Sequence, residues 1–259
     1  MLGIENWYAT QQFEDLARYR ESIQREQWHE MGTYEQMDRD GINRLKQDNR
    51  IAQWCQTEHS SKSLLILTGI SNSLIAYIKR HCWLSPFAID AIEASRNASA
   101  TNAFYLFGEP GHTSIEEAIP TLILQLLSQK HFDMDGHQLA LAAEAQTFCK
   151  HKGKPDSYEK SIDSLTSLLA QVMKVFGKDD EVSIVLDRAD MCESVQKNDL
   201  LRMMVDAMNN AACSVHVLVV TQGEGDWKPN ERELNARLLE PAKLHLVAKT
   251  QRVLGGYMY

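Results

Sequence analysis

The sequence predicts a three-layer α/β domain with a mostly parallel sheet and an N-terminal helical extension. Three observations point there. From Ser63 onward, short apolar runs recur at Leu64–Leu67, Ala103–Phe107, Ser183–Leu186 and Val215–Val220, with His245-Leu246-Val247 as a weaker fifth. Between the runs lie longer segments whose apolar residues are spaced by three and four. Residues 1–58 differ from both, being polar, charged and helical in pattern. Strands apolar along their whole length and separated by helices are what a parallel sheet covered on both faces requires.

Taken in chain order, Phe13, Leu16, Tyr19 and Ile23 form one face of an amphipathic helix. Gly32-Thr33 reads as a break. A second helix is expected from Tyr34 to Trp54, with Met37, Ile42, Leu45 and Ile51 as its sparser apolar positions. This extension, residues 1–58, reads either as an oligomerisation or signalling arm or as a helical cap on the core. The α/β domain follows over 59–259. Its helices show apolar faces at Ile115, Ile119, Leu122, Ile123, Leu126 and Leu127, then at Ile162, Leu165, Leu168, Leu169, Val172, Met173 and Phe176, then at Leu200, Leu201, Met204, Val205 and Met208. The methionines of the last face read as core packing. Lys150–Asp156, with Gly153 and Pro155, is a polar turn between two helices.

Composition narrows the function. With 44% hydrophobic and 24% charged residues, the 259-residue chain has the make-up of an ordinary globular protein. A formal charge of -8 argues against a generic nucleic-acid binder, which shows a basic stripe. No apolar run approaches the ~20 residues of a membrane span. Met1-Leu2-Gly3-Ile4-Glu5-Asn6-Trp7 has no basic start followed by a long apolar core, so no secretory signal is read there. The five cysteines are widely spaced and odd in number, which suits a reducing compartment. An intracellular location, cytoplasmic or nuclear, is expected, with protein partners and neither membrane nor nucleic acid.

The first apolar run ends at Gly69, and Ser71 to Arg80 reads as a helix start. Strand, glycine turn and helix is the context in which backbone N–H groups cradle phosphates. That chemistry needs G-x-x-x-x-G-K-[ST], whose lysine neutralises phosphate charge. Here Gly69 is followed by Ile70-Ser71-Asn72-Ser73, with neither second glycine nor lysine. Ser61-Lys62-Ser63 imitates the ending but precedes the strand, so Lys62 belongs at the opposite end of the sheet. Lys79 and Arg80 lie on the order of 15 Å from the turn at 1.5 Å rise per residue, out of phosphate reach. Val182 to Asp187 is an apolar strand ending in an acid, the form that holds Mg²⁺ through water in nucleotide hydrolases. Asp187 and Asp190 are therefore candidate site residues. The alternative is a strand-end cap or an ion pair with Arg188 or a neighbour. Gly108-Glu109-Pro110-Gly111-His112, after the second strand, is either a ligand-facing loop or a plain connection. Cys149, His151 and the His131/His137 pair lack the paired spacing of a zinc site.

Four segments in order carry a family resemblance: Leu64-Leu65-Ile66-Leu67-Thr68-Gly69-Ile70; Phe104-Tyr105-Leu106-Phe107 with Leu122-Ile123-Leu124-Gln125-Leu126-Leu127; Val182-Ser183-Ile184-Val185-Leu186-Asp187-Arg188-Ala189-Asp190-Met191-Cys192; and Val215 to Glu224. Over residues 60–227 the chain resembles the NACHT-type branch of the STAND P-loop NTPases, particularly the fungal proteins. The resemblance implies a P-loop NTPase-like fold and a signalling or defence setting. Against the family pattern, the Gly-Lys pair is missing, Met191 stands where an acid would activate water, and Gln222 stands where the sensor arginine would be. Methionine cannot orient a water, and glutamine brings no positive charge to a transition state. The expected function is a non-catalytic interaction or regulatory scaffold with no cofactor. The alternative is an ATP- or GTP-binding switch using Gly69, Ser71, Ser73, Asp187 and Asp190 with Mg²⁺.

Overall fold

The computed structural model describes residues 9–29, 45–55, 62–70, 82–98, 100–108, 111, 113–129, 138–154, 157–193, 196–223 and 229–250. Its helices are α1 (Ala9–His29), α2 (Asn49–Cys55), α3 (Ser85–Asn97), α4 (Ile115–Gln129), α5 (Gln138–His151), α6 (Tyr158–Met173), α7 (Lys197–Asn210) and α8 (Glu231–Arg237). Its strands are β1 (Lys62–Ile70), β2 (Thr101–Leu106), β3 (Glu181–Asp187), β4 (Ser214–Gln222) and β5 (Lys243–Thr250). All five expected strands are present. They form one sheet in the order β2-β3-β4-β1-β5, and every pairing is parallel.

The alternation of side chains along each strand divides the core into two layers. Leu64 and Ile66 of β1, Ile184 and Leu186 of β3, and Val215, Val217 and Val219 of β4 face α4, α6 and α7, with Leu141 and Phe148 of α5 behind them. Leu65 and Leu67, Val185, Leu218 and Val220, and Val247 of β5 face the other way. Against them pack α3 (Phe87, Ala88, Ile89, Ile92), α1 (Leu16, Tyr19, Ile23), and Ile51 and Trp54 of α2. The helices of the N-terminal extension thus bury their sparse apolar residues in the same core as β1. Met203, Met204 and Met208 are core residues, as their spacing predicts.

Local chemistry sets the element boundaries. Pro86 sits in the first turn of α3, where its missing N–H costs nothing. Glu116 and Glu117 occupy the first turn of α4, where the helix dipole favours negative charge. The Asn230 side chain caps α8 by accepting from the Glu233 amide.

Two expectations need correction. The single helix expected from Tyr34 to Trp54 is interrupted before its end. Asp48 Oδ1 accepts the Arg50 amide at 3.0 Å and so caps a new helix, α2; residues 34–44 lie outside the described residues. The turn expected at Gly69 is also displaced. β1 continues through Gly69 to Ile70, because Gly69 is paired on both sides, with Gln222 of β4 and Lys249 of β5. Among the described residues no helix is long and apolar enough to cross a membrane.

Candidate functional site at the carboxyl ends of β1, β3 and β4

In open α/β sheets, ligands bind beyond the carboxyl ends of the strands, where successive connections leave for opposite faces. Here that place lies between β1 and β4. The next helix described after β1 is α3, on one face, and β4 is followed by α8, on the other. The two strand ends are stitched together. The Gly223 amide donates to the Gly69 carbonyl at 2.8 Å, and the Thr221 hydroxyl donates to that of Thr68 at 3.1 Å.

Gly69 is buried against the chain itself. A Cβ placed there would stand 2.6 Å from Cys82 Sγ, 2.8 Å from Trp83 Nε1 and 3.0 Å from Leu84 Cδ1. The absence of a side chain at residue 69 therefore lets the segment leading into α3 lie directly on β1. Cys82 is held there by its thiol, 3.7 Å from the Thr221 carbonyl, and burial pushes that thiol up to about 12.

Asp187 ends β3 with its side chain fully buried, among groups from distant parts of the chain. The Tyr19 hydroxyl, carried by α1 and equally buried, donates to Asp187 Oδ2 at 2.5 Å. Burial, then the adjacent Asp187 charge, raises the Tyr19 pKa well above that of an ordinary phenol, which fixes the proton on tyrosine.

Immediately after the strand, Arg188 takes a left-handed backbone conformation, φ 57°. For a non-glycine residue that conformation costs roughly 1–2 kcal/mol. It is held by a chelated ion pair: Arg188 Nε lies 3.0 and 3.1 Å from the two Asp190 oxygens, and Nη2 lies 2.8 Å from Oδ2. Burial works against the Arg188 charge, but Asp190 more than offsets it and the guanidinium pKa rises. Asp190 Oδ1 also accepts the Gln222 amide at 2.9 Å, so one carboxylate ties the turn after β3 to the end of β4.

Gly69 lies near the end of β1, Asp187 ends β3 and Asp190 follows it, each already engaged by this chain. Ser71, Ser73, Lys79, Arg80, Glu109, Pro110 and His112 lie outside the described residues. Met191 is exposed on the single 3-10 turn after Arg188. Lys62 stands at the opposite end of β1, its Nζ 3.5 Å from the Asn209 carbonyl. Among the described residues no group of three or more His, Cys, Asp or Glu side chains could hold a metal ion. Sequence reasoning missed Tyr19 and Cys82–Leu84. The one signal for Tyr19 is the single hydroxyl in the apolar stripe of Phe13, Leu16, Tyr19 and Ile23, since a buried phenol needs a partner.

The parallel sheet, with Gly69 near the end of β1 and Asp187 at the end of β3 on either side of β4, forms an α/β domain of P-loop NTPase-like fold. The family model described as "Nephrocystin 3, N-terminal" matches residues 42–222, and the chain belongs to that family. No curated protein matches it. Among solved structures, it is similar to a chain in a Drosophila ORC structure bound to AT-rich DNA and Cdc6, with 11% identity and a TM-score of 0.35, covering 91% of this chain and 31% of that one. It is also similar to the Aeropyrum pernix ORC1 protein in complex with DNA, with 14% identity and a TM-score of 0.33, covering 82% of this chain and 46% of that one. The chain therefore spans less than half the length of either.

Proposed function

We propose that this chain is a non-catalytic interaction or regulatory module, built on a P-loop NTPase-like frame and working inside the cell with protein partners. The observation that supports it most directly is the Tyr19 hydroxyl seated on Asp187 Oδ2. An acid that holds hydrated Mg²⁺ must present an oxygen to the ion's water, whereas this one is buried against a phenol. The chelation of Asp190 by Arg188 and the packing of Cys82–Leu84 on Gly69 point the same way. The signalling or defence setting rests on the likeness to fungal STAND proteins, and the acidic charge disfavours nucleic acid.

One observation favours the alternative, an ATP- or GTP-binding switch that uses Gly69, Ser71, Ser73, Asp187 and Asp190 with Mg²⁺. Gly69 pairs with Gln222 of β4 at the topological switch point, the habitual ligand position of such sheets, and Asp190 accepts the Gln222 amide there. Calorimetric titration of the chain with ATP and with GTP, each with Mg²⁺, separates the two. The module reading expects no binding heat. Micromolar binding abolished by Asp187→Ala overturns it.

A further inference from the structure

α1 is held to the rest of the chain by few side chains. Of those whose burial is described in α1, Leu16, Tyr19 and Ile23 alone are buried, one per turn. The others face water in whole or in part. An ion pair from Arg20 to Glu93 of α3 is exposed on both sides and adds little. α4, on the opposite layer, buries nine of its residues. Elements with few buried apolar contacts are the ones that open at the lowest cost in free energy.

A polar chain nevertheless runs inward from this helix. The Cys82 amide donates to the Ser85 hydroxyl at 3.1 Å. The Ser85 hydroxyl in turn donates to the Tyr19 oxygen, which opposes part of the rise in the phenol's pKa. Tyr19 then donates to Asp187 Oδ2. Each hydroxyl accepts one hydrogen bond and donates one, and links arranged in this way polarise and strengthen one another. All four residues are buried. The chain therefore joins the segment lying on Gly69, the first residue of α3, the middle of α1 and the end of β3. Its first member, Cys82, is the residue whose Sγ comes nearest to the space a side chain at position 69 would need.

We propose that α1 is a strap over the switch point: seated, it holds Cys82–Leu84 down on Gly69 through Ser85 and covers Asp187, and lifted, it lets that segment rise and uncovers both strand ends. The inference rests on the reading of this chain as a regulatory module and gives that module a closed and an open state. Calorimetry asks whether the switch point holds a nucleotide, and the experiment below asks whether it opens, so either can fail without the other.

Cys82 reports the state of the segment. Its thiol is buried, as are those of Cys192 and Cys213 in the opposite layer. The full chain is labelled with a maleimide over time, and the modified thiols are located by peptide mass. Tyr19→Phe and Ser85→Ala each remove one link of the chain. Leu16→Glu/Ile23→Glu drives α1 from its seat, because an ionised carboxylate does not stay buried without a partner. In all three variants Cys82 is expected to label about fivefold faster or more, the scale set by one lost hydrogen bond. Cys192 and Cys213 are expected to keep their parental rates. Folded variants in which Cys82 labels at the parental rate overturn the proposal. So does an equal acceleration at all three buried thiols, which would make the opening global. Should Leu16→Glu/Ile23→Glu not fold, Tyr19→Phe and Ser85→Ala decide by the same two readings.

Discussion

The hydroxyl of Tyr19 and the carboxylate of Asp187 meet at 2.5 Å although 168 residues separate them, and both are fully buried. The contact joins α1 to the strand that ends in the candidate site. Tyr19→Phe keeps the ring and removes the proton. Removing a hydrogen bond to a buried carboxylate costs about 1–3 kcal/mol. Urea unfolding of Tyr19→Phe, Asp187→Asn and the double variant is expected to show a coupling of about 0.5–3 kcal/mol. Additive losses would mean that the two groups do not act as a pair.

Gly69 admits no side chain without movement of Cys82, Trp83 and Leu84. Gly69→Ala is expected to destabilise the fold by about 1–3 kcal/mol, the usual range for overpacking. Thermal unfolding checks this, and a neutral result would show that the segment before α3 yields easily.

Asp190 holds a guanidinium that is 4% exposed. Asp190→Ala removes that carboxylate and, with it, the acceptor of the Gln222 amide. Breaking a buried ion pair from one side costs about 3–5 kcal/mol, so chemical denaturation should place this variant well below Tyr19→Phe.

Acidification should weaken the layer that α2 covers. His216, hydrogen-bonded to Ser63 at 2.9 Å and met edge-on by the Trp54 ring, has its pKa lowered by burial, with Glu181 opposing in part. Burial, then Lys243 and Arg50, also lowers that of His245. Both groups bind a proton more readily when unfolded. Their contribution to stability is therefore complete above the ordinary histidine value of 6.5. It is lost as pH falls from there through the lowered folded values. Melting temperatures from pH 8 to 5 should decline below about 6.5, and His216→Gln/His245→Gln should flatten that decline.

Much of the architecture is legible in the residues. The five strands announce themselves as apolar runs, because a strand buried on both faces has no polar side to obscure it. Helix periodicity likewise picks out α4, α6 and α7. The end of β1 is not legible, because whether Gly69 turns or extends depends on β4 and β5, which arrive much later in the chain. The same holds at the candidate site. Asp187 and Asp190 can be picked out as acids at a strand end, and Arg188 as an ion-pair partner, but Tyr19 and the Gln222 amide cannot, because tertiary folding alone brings them in. Gln125 is visible within an apolar helix face, yet its two hydrogen bonds to the Phe104 backbone emerge only once β2 lies beside it.

The long reach from Tyr19 to Asp187 also has a consequence for biosynthesis. On a ribosome adding roughly 5–20 residues per second, α1 emerges on the order of ten to thirty seconds before the strand that receives it. Through that interval Leu16, Tyr19 and Ile23 have no sheet to cover, and the nascent helix presents an apolar stripe to whatever is near. Docking of α1 is thus among the later acts of maturation, and a chaperone that holds the emerging helix is expected to release it only after β3 has been synthesised.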